Sequence, residues 1–300
     1  MKILLFGTNG QVGWELQRSL APLGELIALS SGSSDFCGDL ANPSGVKQTI
    51  RKIKPDIIVN AAAYTSVDKA ESEVEHAHIL NAQAPSVLAQ EARELNACLV
   101  HYSTDYVFNG NGGLPYVETD ATDPINVYGK TKLAGENNII ASGCSYLIFR
   151  TSWVYATHGN NFIKSILRLA QQRDKLTVVD DQIGSPTGAE LVADVTANIL
   201  YSLRYQPKVN GIYHLVARGY ISWYQFAKFI IEHARHAEFT LKTQLDTLLP
   251  IASADFPLPA KRPLNSRLNT CKLENQFGLN LPVWQAGVSR TIKEILSKEL

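Results

Sequence analysis

The stretch "ILLFGTNGQVGWEL", residues 3–16, decides the fold. It places Gly7, Gly10 and Gly13 directly after an apolar, strand-like run and at the start of a helical pattern. Gly7 permits a tight turn, Gly10 lets the backbone approach a diphosphate, and Gly13 lets the helix pack closely on the sheet. The stretch therefore predicts a dinucleotide-binding turn, with Gln11 and Val12 on the helix end that faces the anion.

The rest of the first half alternates apolar runs with helical patterns. Continuous hydrophobicity is what strands buried on both faces require, so this alternation predicts a parallel sheet with helices on both faces. The predicted strands are residues 2–6, 26–29, 56–60, 98–102 and 146–149, and the predicted helices are 11–21, 43–53, 71–95 and 127–140. The fold class is α/β, a Rossmann-type doubly wound parallel sheet with a smaller C-terminal α/β substrate lobe.

The pattern of predicted helices and strands changes after Arg150. A helix at 161–172, a strand at 176–179 and a helix at 188–203 still fit the first sheet, whereas the chain from about 205 has short elements and a proline-rich passage at 250–263. We predict that residues 1–152 and about 176–204 form the dinucleotide-binding domain. Residues of about 153–175 and 205–300 would form the smaller lobe, with the ligand in the cleft between the two.

The composition excludes several classes of partner. Lysine plus arginine equals aspartate plus glutamate at 28 each, so no global field attracts nucleic acid or an acidic membrane surface. No apolar run approaches the roughly 20 residues that span a bilayer, and the N-terminus lacks the core of a signal peptide. The four cysteines are scattered, which suits a reducing compartment. We expect a cytoplasmic protein that binds neither nucleic acid nor membrane.

The spacing G-x-x-G-x-x-G resembles the extended branch of the short-chain dehydrogenase/reductase superfamily. Ser30 and Ser31 stand where a carboxylate usually accepts the ribose 2′-OH of NAD. Without that carboxylate or an arginine, the cofactor preference should be weak, with NADPH accepted and NADH usable. The resemblance also places Asp39 and Leu40, in a loop after a second small strand, at the adenine.

Small residues end the next strand in "NAAAYTSVD", residues 60–68. The alanines are small enough for the cofactor's ribose to lie against the backbone, although plain packing is the alternative. The further residues assigned to the cofactor site are Ala61, Ala62, Ala63, Thr65 and Tyr102.

A tyrosine and a lysine lie four residues apart in "NVYGKTKLAGE", residues 126–136. Tyr128 and Lys132 therefore share one face of a predicted helix. Tyr224 and Lys228 have the same spacing, so the motif alone settles nothing. The fourth strand ends in "VHYSTDYVF" upstream of Tyr128 only, and ligands bind beyond the carboxyl ends of parallel strands. We assign catalysis to the first pair and read the second as ordinary helix spacing.

A carbonyl that accepts a hydride also needs a proton donor. A free tyrosine has a pKa of about 10, and bringing it to about 7 takes about 4 kcal/mol in favour of the phenolate. The ammonium of Lys132 and the positive nicotinamide could supply this. In the superfamily the same lysine bonds the nicotinamide ribose, and a Ser or Thr holds the substrate carbonyl. We assign that last role to Thr104, with Ser103 as the alternative.

Several fragments together resemble the dTDP-4-dehydrorhamnose reductases. They are "LFGTNGQVGWEL", "VNAAAYTSVDKAE", "STDYVF", "NVYGKTKLAGE", "FRTSWVY", "GNNF" and "RPLNSRLNT". The resemblance implies reduction of the 4-keto group of a dTDP-6-deoxy-L-sugar to give dTDP-L-rhamnose, a donor for cell-surface polysaccharide. It also implies hydride delivery to C4 and proton donation to O4 by Tyr128.

The same resemblance assigns the substrate side of the cleft. Trp153 would lie against the deoxysugar, and core filling is the alternative for that ring. The other substrate-binding residues implied are Thr104, Asp105, Asn160, Asn161, Arg262 and Arg267, with the arginines on the diphosphate and thymidine. For each arginine a solvated surface position is the alternative.

Rival functions and a metal complete the expectations. A 4,6-dehydratase follows "ST-D" with a glutamate, where this chain has Tyr106, but another 4-ketoreductase, a 4-epimerase or a non-catalytic regulatory subunit would share the fold. Some family members form dimers around Mg²⁺. Glu15 and Glu190 match acidic positions implicated there, which implies a homodimer, with ordinary surface glutamates as the alternative.

Overall fold

A parallel sheet forms the centre of the computed structural model, which describes residues 1–203 and 210–297. Its six strands are hydrogen-bonded only in parallel pairs. From one edge to the other they are Gly211–His214, Ser145–Thr151, Cys98–Thr104, Ile57–Asn60, Lys2–Phe6 and Glu25–Leu29. Because all these strands point the same way, the ends of several strands open on one edge, where a ligand can bind.

Apolar clusters cover both faces of this sheet, because its strands are hydrophobic on both sides. Helices Gln11–Leu20 and Ala189–Ser202 pack on one face. Helices Pro43–Ile53, Ala84–Glu94 and Val127–Ser142 pack on the other. The predicted doubly wound α/β fold is confirmed.

A third apolar cluster forms the smaller part of the molecule, around helices Phe162–Gln172, Trp223–His236 and Trp284–Leu296. Three two-stranded sheets border it, pairing Leu176–Val179 with Leu248–Ile251, Ile183–Gly184 with Ile221–Ser222, and Val154–Tyr155 with Thr187–Gly188. The remaining α-helices are Val67–Ala70, Val74–His78 and Cys271–Phe277, with 3₁₀ turns at Ala21–Leu23, Asp105–Val107 and Ser253–Asp255 and a π-helical turn at Ile79–Gln83.

Two strands do not lie where the sequence analysis placed them. Leu176–Val179 is outside the large sheet, and Gly211–His214 is part of it. Leu176–Val179 pairs with Leu248–Ile251, because the buried Leu176 and Leu248 both belong to the smaller cluster. Gly211–His214 extends the large sheet, because Tyr213 packs in the core under it. The predicted boundary near 204–205 and the end of the lobe at 298–300 fall outside the described residues. The division into two domains stays a prediction.

Two further predicted elements differ from the observed ones. The single helix expected over 71–95 is divided by the π-helical turn, after which Ala84–Glu94 restarts with Pro85 in its first turn. The small strand expected before Asp39 is wrong, since residues 30–42 hold only turns and irregular backbone. Nowhere in 1–203 or 210–297 is a helix both long and apolar enough for a bilayer. All four cysteines are free thiols.

Candidate active site

The glycine-rich turn joins the first strand to the first helix. Gly7 adopts a left-handed φ of 89°, and a Cβ there would lie 2.5 Å from the backbone nitrogen of Ala62. A Cβ on Gly13 would lie 2.0 Å from the Gly7 oxygen, so the helix packs directly on its own turn. The helix begins after Gly10 with no side-chain cap and no acidic residue in its first turn. Its backbone N–H groups therefore remain suited to an anion such as a diphosphate.

A cleft of about 840 Å³ opens at the carboxyl ends of the strands. It gathers most residues assigned from the sequence, namely Gly7, Gly10, Gln11, Val12, Ser30, Ser31, Asp39, Leu40, Ala61, Ala62, Ala63, Thr65, Tyr102, Thr104, Asp105, Tyr128, Lys132, Trp153 and Asn160. Gly13 lies behind the turn. The predicted cofactor side and the predicted reaction centre thus form one continuous surface.

The end of the cleft near Ser30 and Ser31 carries no basic side chain. Among the described residues that line the cleft, Lys132 is the only lysine or arginine. Asp39 uses Oδ1 to accept a hydrogen bond from the backbone N–H of Ala41 at 3.0 Å. The described residues therefore offer a 2′-phosphate no built cation at this end of the cleft, and the weak cofactor preference stays a prediction.

The tyrosine helix, Val127–Ser142, is fixed at its first turn. Asn126 caps it, with Oδ1 accepting from the backbone N–H of Gly129 at 2.8 Å. A Cβ on Gly129 would lie 2.2 Å from the Tyr106 oxygen, so the helix start packs against the loop that follows the fourth strand. This contact brings Tyr128 beside Thr104, the last residue of that strand.

The phenol of Tyr128 is protonated at neutral pH. Burial raises its pKa to about 12, and the hydrogen bond with Thr104 opposes the rise. The lowering of this pKa expected from Lys132 and the nicotinamide together stays a prediction for the complex with the cofactor. In the described residues no hydrogen bond joins Tyr128 and Lys132, because Lys132 directs Nζ to the carbonyl oxygen of Tyr102 at 2.6 Å.

Lys132 lies in a buried polar network that sequence reasoning missed. Its side chain is 1% exposed, and Nζ lies 3.2 Å from Nε2 of His101. Burial lowers the pKa of Lys132 to about 8, opposed by Glu136, whose carboxylate pairs with Arg150 at 2.6 Å. The signal in the sequence was His101 itself, a polar residue inside the apolar run of a buried strand.

Two stacked indoles form the wall of the cleft on the side of the smaller lobe. Trp153 has a left-handed φ of 49°, which is strained for a residue other than glycine. Its ring stacks on Trp223 with centroids 3.6 Å apart, and a Cβ on Gly184 would lie 2.5 Å from it. The stack and the glycine hold the strained residue. Trp223 was not predicted, although it begins the helix that carries the second Tyr-Lys pair.

Three residues predicted to bind substrate do not line the cleft. Arg262 pairs with Asp68 at 2.7 Å, and Arg267 donates to the Gly113 oxygen at 2.8 Å. Asn161 caps helix Phe162–Gln172 and donates to the Ala156 oxygen at 2.7 Å. Their polar groups are already bonded within the protein, so their substrate roles stay predictions.

The two glutamates predicted as metal ligands lie in a second, much smaller cavity with Glu294. Glu190 pairs with Arg290 at 3.0 Å, and Glu15 lies 3.5 Å from Arg18. Within residues 1–203 and 210–297, no three His, Cys, Asp or Glu side chains are grouped to hold a metal ion. The two carboxylates are thus paired with guanidinium groups, and their role as metal ligands stays a prediction.

Comparisons with known proteins agree along the whole chain. A family model described as RmlD substrate binding domain matches residues 1–297. The chain is 55% identical to the dTDP-4-dehydrorhamnose reductase of Escherichia coli K12 over 297 residues, 99% of each protein.

Solved structures give the same picture. A dTDP-4-dehydrorhamnose reductase from Clostridium acetobutylicum superposes with a TM-score of 0.89 at 35% identity, covering 99% of this chain and 100% of that one. The enzyme from Bacillus anthracis in complex with NADP gives a TM-score of 0.86 at 35% identity, covering 98% and 99%.

Proposed function

The chain belongs to the family of dTDP-4-dehydrorhamnose reductases, and from that premise we propose that it reduces the 4-keto group of dTDP-4-dehydrorhamnose to give dTDP-L-rhamnose, with NADPH or NADH as reductant. One observation carries the proposal. The glycine-rich turn and the Thr104–Tyr128–Lys132 group line one continuous cleft, so a dinucleotide on the turn can extend to the reaction centre.

The residues at the turn fit the cofactor. Gly7 and Gly13 leave no room for a side chain, and the uncapped helix end suits a diphosphate. Ala61, Ala62 and Ala63 border the path toward Tyr128. When bound, the reduced nicotinamide supplies the hydride to C4 of the sugar.

The proton comes from Tyr128. With a pKa of about 12 in the protein alone, the phenol keeps its hydrogen and can donate it to O4 as the ketone is reduced. The hydrogen bond with Thr104, whose hydroxyl donates to Oδ1 of Asp105 at 3.0 Å, limits the rise in the pKa of this phenol. Trp153 offers a flat apolar surface to the deoxysugar ring.

Steady-state oxidation of NADPH with the keto sugar tests the proposal. We expect many turnovers per protein molecule and dTDP-L-rhamnose as the product by mass spectrometry. A regulatory binding subunit would bind the ligands without turnover. A 4-epimerase would leave the keto sugar without net reduction and without net consumption of NADPH, so either result would refute the assignment.

Three narrower features belong to the same proposal. The lack of a basic residue at Ser30 and Ser31 supports use of both cofactors, with kcat/KM values within about a hundredfold of each other. The free cysteines support a cytoplasmic location. Sedimentation tests the proposed homodimer, and an unchanged sedimentation coefficient in EDTA would exclude Mg²⁺ from its interface.

A further inference from the structure

A chain of hydrogen bonds runs beneath the cleft between two backbone groups. The N–H of Ala62 donates to Oδ1 of Asn60 at 3.1 Å, and Nδ2 of Asn60 lies 3.1 Å from Nδ1 of His101. Nε2 of His101 lies 3.2 Å from Nζ of Lys132, which donates to the Tyr102 oxygen at 2.6 Å. Each of the three linking side chains is 1% exposed.

The direction of these bonds is fixed from the Ala62 end. A backbone N–H can only donate, so the carbonyl oxygen of Asn60 faces Ala62 and its amide nitrogen faces His101. That nitrogen has only hydrogens to offer, so Nδ1 of His101 must accept. Burial lowers the pKa of His101 well below its ordinary value, which keeps the ring neutral. Its single proton therefore lies on Nε2.

This tautomer points an N–H at Lys132. A neutral amine has a lone pair that can accept the hydrogen, whereas an ammonium has none. A charged Lys132 would place two N–H donors against each other where both side chains are 1% exposed. The clash would lie between Nε2–H of His101 and the ammonium, or between Nδ1–H of His101 and the Asn60 amide. The bonded chain is complete only when Lys132 is uncharged.

We propose that Asn60 and His101 are positioning residues that favour the neutral amine of Lys132 in the free protein, and that Lys132 gains proton occupancy from solvent when an anionic dinucleotide enters the cleft. The inference rests on the proposed function only in that a dinucleotide binds beside Lys132. The ammonium so formed is the cation that favours ionisation of Tyr128 at the moment of proton transfer.

Few other titratable groups near Lys132 affect whether its side chain is charged. Tyr128 lies on the same helix, and Glu136 one turn further on, which pairs with Arg150 from the adjacent strand, favours the charged form of Lys132. Burial, opposed by Glu136, lowers the pKa of Lys132 to about 8, and the N–H of His101 favours the uncharged amine further. Proton uptake should therefore be largest between about pH 8 and the ordinary lysine value of 10.5.

Nuclear magnetic resonance of the wild-type protein alone tests the first half. With ¹⁵N-histidine and ¹³C-lysine labelling, signals are assigned by their loss in His101→Phe and Lys132→Met. We expect His101 as the neutral Nε2–H tautomer and Lys132 titrating below every other lysine. A proton on Nδ1, or a Lys132 that titrates with the surface lysines, would overturn the proposal without any variant needing to be active.

The substitution Asn60→Asp should reverse the direction of the hydrogen bonds that link residue 60, His101 and Lys132. A carboxylate accepts from both Ala62 and Nδ1–H of His101, so Nε2 becomes an acceptor for an ammonium. We expect the proton affinity of Lys132 to rise at least tenfold. Asn81→Asp is the matched control, because Asn81 is fully buried and bonds Thr131 on the same helix without touching His101. Equal shifts in the two variants would refute transmission through His101.

Calorimetry of NADPH binding at pH 9, in two buffers that differ in ionisation enthalpy, tests the second half. We expect net proton uptake by wild type, and little by Lys132→Met or Asn60→Asp. Absence of NADPH binding to wild type would refute the proposed function, whereas tight binding without proton uptake would refute this inference alone.

Discussion

Helices Val127–Ser142 and Trp223–His236 carry the same Tyr-x-x-x-Lys spacing in different surroundings. In the first, Lys132 is 1% exposed and bonded beneath the cleft, next to Tyr128 at its floor. In the second, Lys228 is exposed, and neither it nor Tyr224 lines the cleft. The spacing supplies only a shared helix face. The proposed acid site needs, in addition, the end of a buried parallel strand beside that face, which only the first pair has.

Replacing each of the two tyrosines by phenylalanine should give the largest difference in activity between the two helices. Tyr128→Phe removes the proton donor, so we expect kcat/KM for reduction of the keto sugar to fall by about 10²–10⁴-fold. Tyr224→Phe, the matched control, should stay within about twofold of wild type. Oxidation of NADPH measures both, and similar losses in the two variants would abolish the distinction drawn between the helices.

The lysines should differ in how they link stability to pH. The folded-state pKa of Lys132, about 8, lies below the ordinary 10.5. Between pH 10.5 and 8 this lysine therefore binds a proton mainly in the unfolded chain, so the free energy of unfolding decreases as pH falls. Lys132→Met lacks this effect, and over that range its free energy of unfolding should gain up to about 3 kcal/mol relative to wild type. Urea unfolding at several pH values measures the change.

The control for that experiment is Lys228→Met. It removes an exposed side chain and should differ from wild type by less than about 0.5 kcal/mol at every pH. If the Lys132→Met difference were equally flat, Lys132 would have its ordinary affinity for protons, and the buried environment assigned to it would be wrong.

The second helix serves the site through its first residue. Removal of the indole in Trp223→Ala leaves Trp153 without its stacking partner, so we expect KM for the sugar nucleotide to rise about tenfold while KM for NADPH is unchanged. Trp223→Phe should restore part of the loss. Equal changes in both KM values would instead indicate a general loss of structure.

The features that could be predicted from the sequence depend only on local sequence patterns and on the order of the strands in the sheet. The glycine turn needs only its own strand and helix, and the fold then fixes where Thr104 and Tyr128 meet. Arg262 could not be placed, because its partner Asp68 lies 194 residues away and the pairing depends on how the loops close. The bonding of Lys132 was equally hidden, since it depends on the side-chain orientations of Asn60 and His101.

The most direct measurement of the central claim uses NADPH that carries deuterium at the transferable position of the nicotinamide. If Tyr128 and the dinucleotide meet over one sugar carbonyl, wild-type product will contain one deuterium at C4, and Tyr128→Phe will form that product at least about 100-fold more slowly. Deuterium at another carbon, or unlabelled product formed at an equal rate by both proteins, would contradict the account.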